Sequence, residues 1–148
     1  MILNSKRKSI KSLLFITYCV FIIYYAVLSR ESKAEHATEF RFMWAYREML
    51  TGYSEWKEDV GYNLKNILFF VPFGFLFPER IKALSVFRNK RWLFILSAGM
   101  LFSVFIEVSQ YITCCGLCET DDVLCNSFGS LIGCWLNIVV TERIFKIK

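Results

Sequence analysis

The sequence predicts an all-α integral membrane bundle of about four transmembrane helices, and three observations predict it. Hydrophobic residues make up 55% of the 148-residue chain, too apolar a balance for a soluble domain of this size. The apolar residues gather into four runs, without the alternating apolar and polar faces of a soluble helix bundle. The segments between the runs differ in charge in the way that membrane topology requires.

Crossing a hydrocarbon core of about 30 Å takes about 20 residues of helix. The first run, 10–28, follows Lys6, Arg7, Lys8 and Lys11. A cleaved signal peptide would end in small residues. This run ends Tyr24-Tyr25-Ala26-Val27-Leu28-Ser29, with aromatics suited to a membrane interface, so a retained span is expected. The second run, 61–77, is the weakest, because its dense part is short and carries Pro72. The third, 92–113, is the clearest, and the fourth, 123–140, follows an acidic turn. Residues 1–148 read as one membrane domain, with a segment 30–60 outside the bilayer. There Phe40, Met43, Trp44 and Leu50 recur near helical spacing. That pattern suits an amphipathic helix on the membrane surface or a cover over the bundle mouth.

Charge sets the expected orientation. Basic residues dominate the amino-terminal tail, the turn with Arg80, Lys82, Arg88, Lys90 and Arg91, and the tail with Arg143, Lys146 and Lys148. The turn between the third and fourth runs holds Glu119, Asp121 and Asp122 and no basic residue. Both termini are therefore expected in the cytoplasm, in a multi-pass membrane protein. The net charge of +5 is spread through these gaps instead of lying on one soluble face, which argues against nucleic acid as a partner.

Polar side chains inside spans are few and informative. An ionised carboxylate at the bilayer centre costs about 2.5 to 3.5 kcal/mol on insertion scales. Asn63 and Asn66 open the second span, Glu107 and Gln110 come late in the third, and Asp121, Asp122 and Asn126 open the fourth. With the expected topology all seven fall in the outer half of the membrane. Ser103, Glu107 and Gln110 share one helix face, as do Asp122, Asn126, Gly129 and Gly133. Gly129 and Gly133 form a GxxxG pair that lets a neighbouring helix approach closely. A carboxamide and carboxylate cluster open to the outer surface is the expected result. Asn and Gln also serve as interhelical glue, and the aspartates also suit the cap of the fourth helix. Glu107 has no basic residue at matching depth apart from Lys65. Pro72 removes a backbone donor and is expected to kink the second helix.

Two stretches resemble the VanZ-like family of small bacterial membrane proteins. The first is Asn66-Ile67-Leu68-Phe69-Phe70-Val71-Pro72-Phe73-Gly74, similar to that family's Asn and aromatic-Val-Pro-Phe-Gly run. The second joins Glu107-Val108-Ser109-Gln110 to Asp121-Asp122-Val123-Leu124-Cys125-Asn126-Ser127-Phe128-Gly129, similar to its Glu-x-x-Gln and Asp-Asp-x-x-x-Asn-x-x-Gly pattern. Family members usually carry an arginine and a further acid shortly before the paired aspartates. Here Cys114 to Thr120 offers Glu119 and no arginine. The resemblance implies low-level resistance to teicoplanin, a lipid-bearing glycopeptide antibiotic, and no particular reaction.

The remaining chemistry is sparse. Cys114, Cys115 and Cys118 lie together, but Cys115-x-x-Cys118 lacks the thioredoxin-like context of a redox motif and a fourth ligand for zinc. A disulfide there is conceivable on an oxidising face. Cys19, Cys125 and Cys134 read as apolar fillers, and His36 as a solvated surface residue. No metal or cofactor is expected. The leading expectation is a protein that binds or shields a membrane lipid, a glycopeptide antibiotic or a cell-wall precursor. An enzyme using Glu107 with Asp121 or Asp122 on a lipid-linked or cell-wall substrate is the alternative. A small subunit of a larger membrane complex is a third class.

Overall fold

A computed structural model describes residues 2–32, 36–39, 43, 47, 50–52, 56–77 and 90–146. The basic turn at Arg80, Lys82 and Arg88, and the outer residues Phe40 and Trp44, lie outside the described residues. Among the described residues there are four long helices: α1 (Ile2–Ile23), α2 (Trp56–Leu76), α3 (Arg91–Thr113) and α4 (Thr120–Lys146). A five-residue π-helical stretch, Tyr24–Leu28, continues α1. The chain is an all-α membrane bundle. Three segments, Ser9–Leu28, Arg91–Thr113 and Thr120–Thr141, are long and apolar enough to cross a bilayer. The other long helix, α2, spans 21 residues and carries Lys57, Glu58, Asp59 and Lys65 along its first half.

The centre of the bundle is the contact between α2 and α4, and glycine makes it. A Cβ added at Gly129 would fall on the Ile67 carbonyl, one at Gly133 on the Val71 carbonyl, and one at Gly74 on the Ser130 carbonyl. Gly129 and Gly133 are one turn apart on α4, and Ile67 and Val71 are one turn apart on α2. Two successive turns of backbone therefore meet without side chains between them, as small-residue packing in membranes allows. Gly99 on α3 makes a similar approach to the Ser130 side chain.

Aromatic rings fill the space beside this contact. Phe15 of α1 meets Phe73 and Phe77 of α2 at centroid distances of 5.0 and 5.4 Å. Phe73 also stacks on Phe102 of α3 at 5.4 Å. Ile22, Phe70, Ile95, Ile106 and Cys134 complete the buried core. Pro72 sits inside an unbroken α2. The Tyr18 hydroxyl donates at 2.6 Å to the Phe69 carbonyl, in the turn that proline deprives of a helical donor. Hydroxyls elsewhere in the helices turn back on their own backbone, Ser127 to the Val123 carbonyl and Ser109 to the Phe105 carbonyl. Such bonds satisfy polar groups where no water is present.

Part of the outer segment is extended and lies against the α3–α4 connection. Ala37–Glu39 forms a strand (β1) that pairs in parallel with Leu117–Glu119 (β2), the connection between α3 and α4. The reason is backbone satisfaction. The extended connection exposes amides and carbonyls at the edge of an apolar bundle, and the returning chain supplies their partners. Farther along, Arg47, Leu50 and Thr51 are helical, and the Arg47 amide bonds the Met43 carbonyl.

At the opposite end of the bundle, Asn137 of α4 joins two helices. Its Nδ2 donates at 3.0 Å to the Phe75 carbonyl, one of the last carbonyls of α2, and its Oδ1 accepts from Arg91 Nη2 at 3.0 Å. Asn137→Ala is expected to destabilise the protein by about 1 to 3 kcal/mol, because it leaves buried groups without partners. Thermal unfolding in detergent measures this, and an unchanged midpoint would dismiss the link.

Candidate ligand-binding site

At the end of the bundle where α2 and α4 begin and α3 finishes, polar side chains from α2, α3 and α4 converge. Glu107 is almost fully buried, and its Oε2 accepts the Glu119 amide of β2 at 3.0 Å. Asn66 Nδ2 donates to Asp122 Oδ1 at 2.6 Å, tying α2 to α4. Asn126 Nδ2 donates to the Ser103 hydroxyl at 2.8 Å, tying α4 to α3. Gln110 Nε2 donates at 3.0 Å to the Ala26 carbonyl, inside the π-helical stretch. The glycine contact between α2 and α4 sets the first of these ties, since it brings the starts of both helices side by side.

Asn66, Glu107, Gln110, Asp122 and Asn126 line one cavity of about 370 Å³, together with Arg30, Tyr62 and Lys65. Its inner wall is apolar, from Ile22, Tyr25, Phe69, Phe70 and Ile106. A second chamber of about 640 Å³ lies against it and shares Arg30, Tyr62, Asn66 and Asp122. Asn63, Glu31, Asp59, Gly116 and Glu119 line this chamber. Five of the seven expected residues thus face one cavity, and Asn63 faces the adjoining chamber. Asp121 goes elsewhere: it is buried, and its Oδ1 accepts the Met43 amide at 2.6 Å. Both aspartates stand in the first turn of α4, where the helix dipole favours an acid. Their hydrogen bonds nonetheless run to other segments.

Arg30 is the residue that sequence reasoning missed. The stretch before Asp121 has no arginine, and Lys65 looked like the nearest cation. In the structure Lys65 Nζ lies 4.7 Å from the Tyr62 ring centroid. The cation shared by both chambers is Arg30, which follows the π-helical end of the first span. Its Nη1 would lie 3.0 Å from a Cβ on Gly116, beside the Gln110 Oε1 at 3.2 Å. A side chain at 116 would press on that guanidinium and that amide. The sole available signal was the basic residue at the end of the first run, which topology alone had absorbed.

Glu107 has another neighbour. On its far side an apolar groove of about 760 Å³ runs between α3 and α4, lined by Met100, Val104, Val108, Tyr111, Val123 and Leu124. The cysteines of the α3–α4 connection are free thiols. Burial raises the Cys118 pKa above the usual thiol range, and the nearby Glu107, Asp122 and Glu119 charges raise it further. His36 is exposed and packs on Tyr111 at 4.7 Å, with Nδ1 2.7 Å from the Tyr111 carbonyl and 3.2 Å from Cys114 Sγ. Among the described residues no three His, Cys, Asp or Glu side chains are grouped to share a metal ion.

Fold and site together define a small helical membrane protein with a polar cavity at one end of its bundle. A family model described as VanZ/LLP1 matches residues 14–141, and the chain belongs to that family. No curated protein and no solved structure gives a significant match.

Proposed function

We propose that the protein binds an envelope amphiphile, a lipid or a lipid-bearing glycopeptide, in the polar cavity, and so gives low-level protection against drugs of the teicoplanin type. The observation that carries this reading is the joining of two unlike spaces. Buried carboxamides and carboxylates from α2, α3 and α4 share one cavity, and apolar side chains of α1 and α2 wall its inner face. A ligand with a polar head and a hydrocarbon body fits both environments. The basic residues in the first turns of α1, between α2 and α3 and near the end of α4 favour both termini in the cytoplasm, which turns the cavity mouth outward. Envelope lipids and wall-directed antibiotics meet the membrane on that side.

The test is resistance itself. Expression of the chain in a sensitive bacterium is expected to raise survival against teicoplanin relative to empty vector, with drugs aimed at cytoplasmic targets unaffected. Equal survival of both strains would remove the shielding role. A membrane enzyme acting on a lipid-linked or cell-wall substrate is the second reading, favoured by the shared cavity of Glu107 and Asp122. Turnover of a labelled lipid-linked wall precursor by purified protein would decide for it.

A further inference from the structure

Two buried polar atoms at this site have no partner among the described residues, and they are of opposite kinds. Gln110 is 3% exposed. Its Nε2 is committed to the Ala26 carbonyl, which fixes the amide orientation and leaves Oε1 as an open acceptor. Asn63 is 4% exposed, and its Nδ2 is an open donor. Buried polar groups normally find partners, so each exception points to something that completes it.

The charges around them are also mixed. Arg30 lines both chambers. Asp122 lines both as well, and Glu31 and Asp59 stand in the outer chamber. A purely anionic head would meet these acids, and a purely cationic head would meet the guanidinium. A head with both charges satisfies both sets. The site also has a way out for a hydrocarbon tail. The inner cavity is walled by Tyr25 and Leu68, which are 54% and 68% exposed on the π-helical stretch and α2. The π-helical stretch, a feature that recurs at functional sites, ends two residues before Arg30.

We propose that the site holds the zwitterionic phosphate–ammonium head of a membrane lipid. Its phosphate lies against Arg30 and Asn63, and its ammonium lies toward Gln110 and Asp122. The proposal rests on the amphiphile-binding reading above and names the chemistry of its ligand. Charge-assisted hydrogen bonds from a planar guanidinium to phosphate supply the stronger half of the recognition.

The experiment titrates the purified full chain in detergent with three lipids of equal acyl chains, read by native mass spectrometry. They are phosphatidylethanolamine, phosphatidylglycerol and a trimethylammonium lipid without phosphate. Phosphatidylethanolamine is expected to bind about tenfold tighter than either single-charge lipid. Arg30→Gln should erase its advantage over the trimethylammonium lipid, and Arg30→Lys should restore part of it. Arg30 is exposed, so both variants are expected to elute and melt as wild type does. Should Arg30→Gln fail that check, the comparison of Arg30→Lys with wild type decides. Equal affinity for phosphatidylglycerol, or an unchanged preference in the folded variants, overturns the proposal. Soluble phosphoethanolamine binding as tightly as the lipid would overturn the lipid as its source. If wild type binds teicoplanin but shows no zwitterion preference, the headgroup assignment falls and the antibiotic reading stands. If it prefers phosphatidylethanolamine but gives no resistance, the reverse holds.

Discussion

Gly133→Leu is expected to destabilise the bundle by about 3 kcal/mol, near the upper end for overpacking a tight interior. A Cβ at that position already coincides with the Val71 carbonyl and comes within 2.7 Å of the Phe75 amide. Both neighbours are helix backbone, which cannot rotate away as a side-chain tip can. The helices must separate, and separation also opens the Gly74 contact beside it and the Gly129 contact one turn away. The ties above them depend on that spacing, so the Asn66–Asp122 hydrogen bond should be lost as well. Thermal unfolding in mild detergent checks this, with Gly61→Ala as the control. An added Cβ at Gly61 meets nothing within 4 Å, and alanine is the better helix former by about 1 kcal/mol. The two substitutions should therefore move the midpoint in opposite directions. A wild-type midpoint for Gly133→Leu would refute the glycine contact.

Glu107→Gln is expected to reduce teicoplanin protection to the empty-vector level with unchanged protein abundance. The amide has the shape of the carboxylate, and its oxygen can still accept the Glu119 amide, so the fold has no reason to fail. What disappears is the ability to exchange a proton. Glu107→Ala adds a second injury, because the Glu119 amide loses its acceptor at a cost of about 1 to 3 kcal/mol. Measured side by side, the two variants separate a chemical role from a structural one. The amide variant should lose protection and keep its melting temperature, and the alanine variant should lose both. Full protection in Glu107→Gln, at matched expression, would take Glu107 out of the binding machinery.

The motif residues were legible for different physical reasons. Helical periodicity alone put Glu107 with Gln110 and Asp122 with Asn126, because residues three and four apart must share a face. Asp121 and Asp122 show where that reasoning stops. Adjacent positions on a helix point about 100° apart, so one aspartate enters the cavity and the other turns to the Met43 amide. Which of them does so depends on the rotation of α4 about its axis, and the neighbouring helix sets that rotation.

The amino-acid sequence by itself determined the membrane class, the all-α bundle, the glycine seam and most of the polar residues, because bilayer thickness and helix period act on each segment alone. Tertiary structure decided what one segment supplies to another. It brought Arg30 from the end of the first span to a cavity shared with Glu107 and Asp122, where the local sequence offers no arginine. It also paired residues 37–39 with 117–119, a contact that no local pattern announced. Both outcomes arise between segments distant along the chain, from charges and backbone groups that only packing brings within reach of each other.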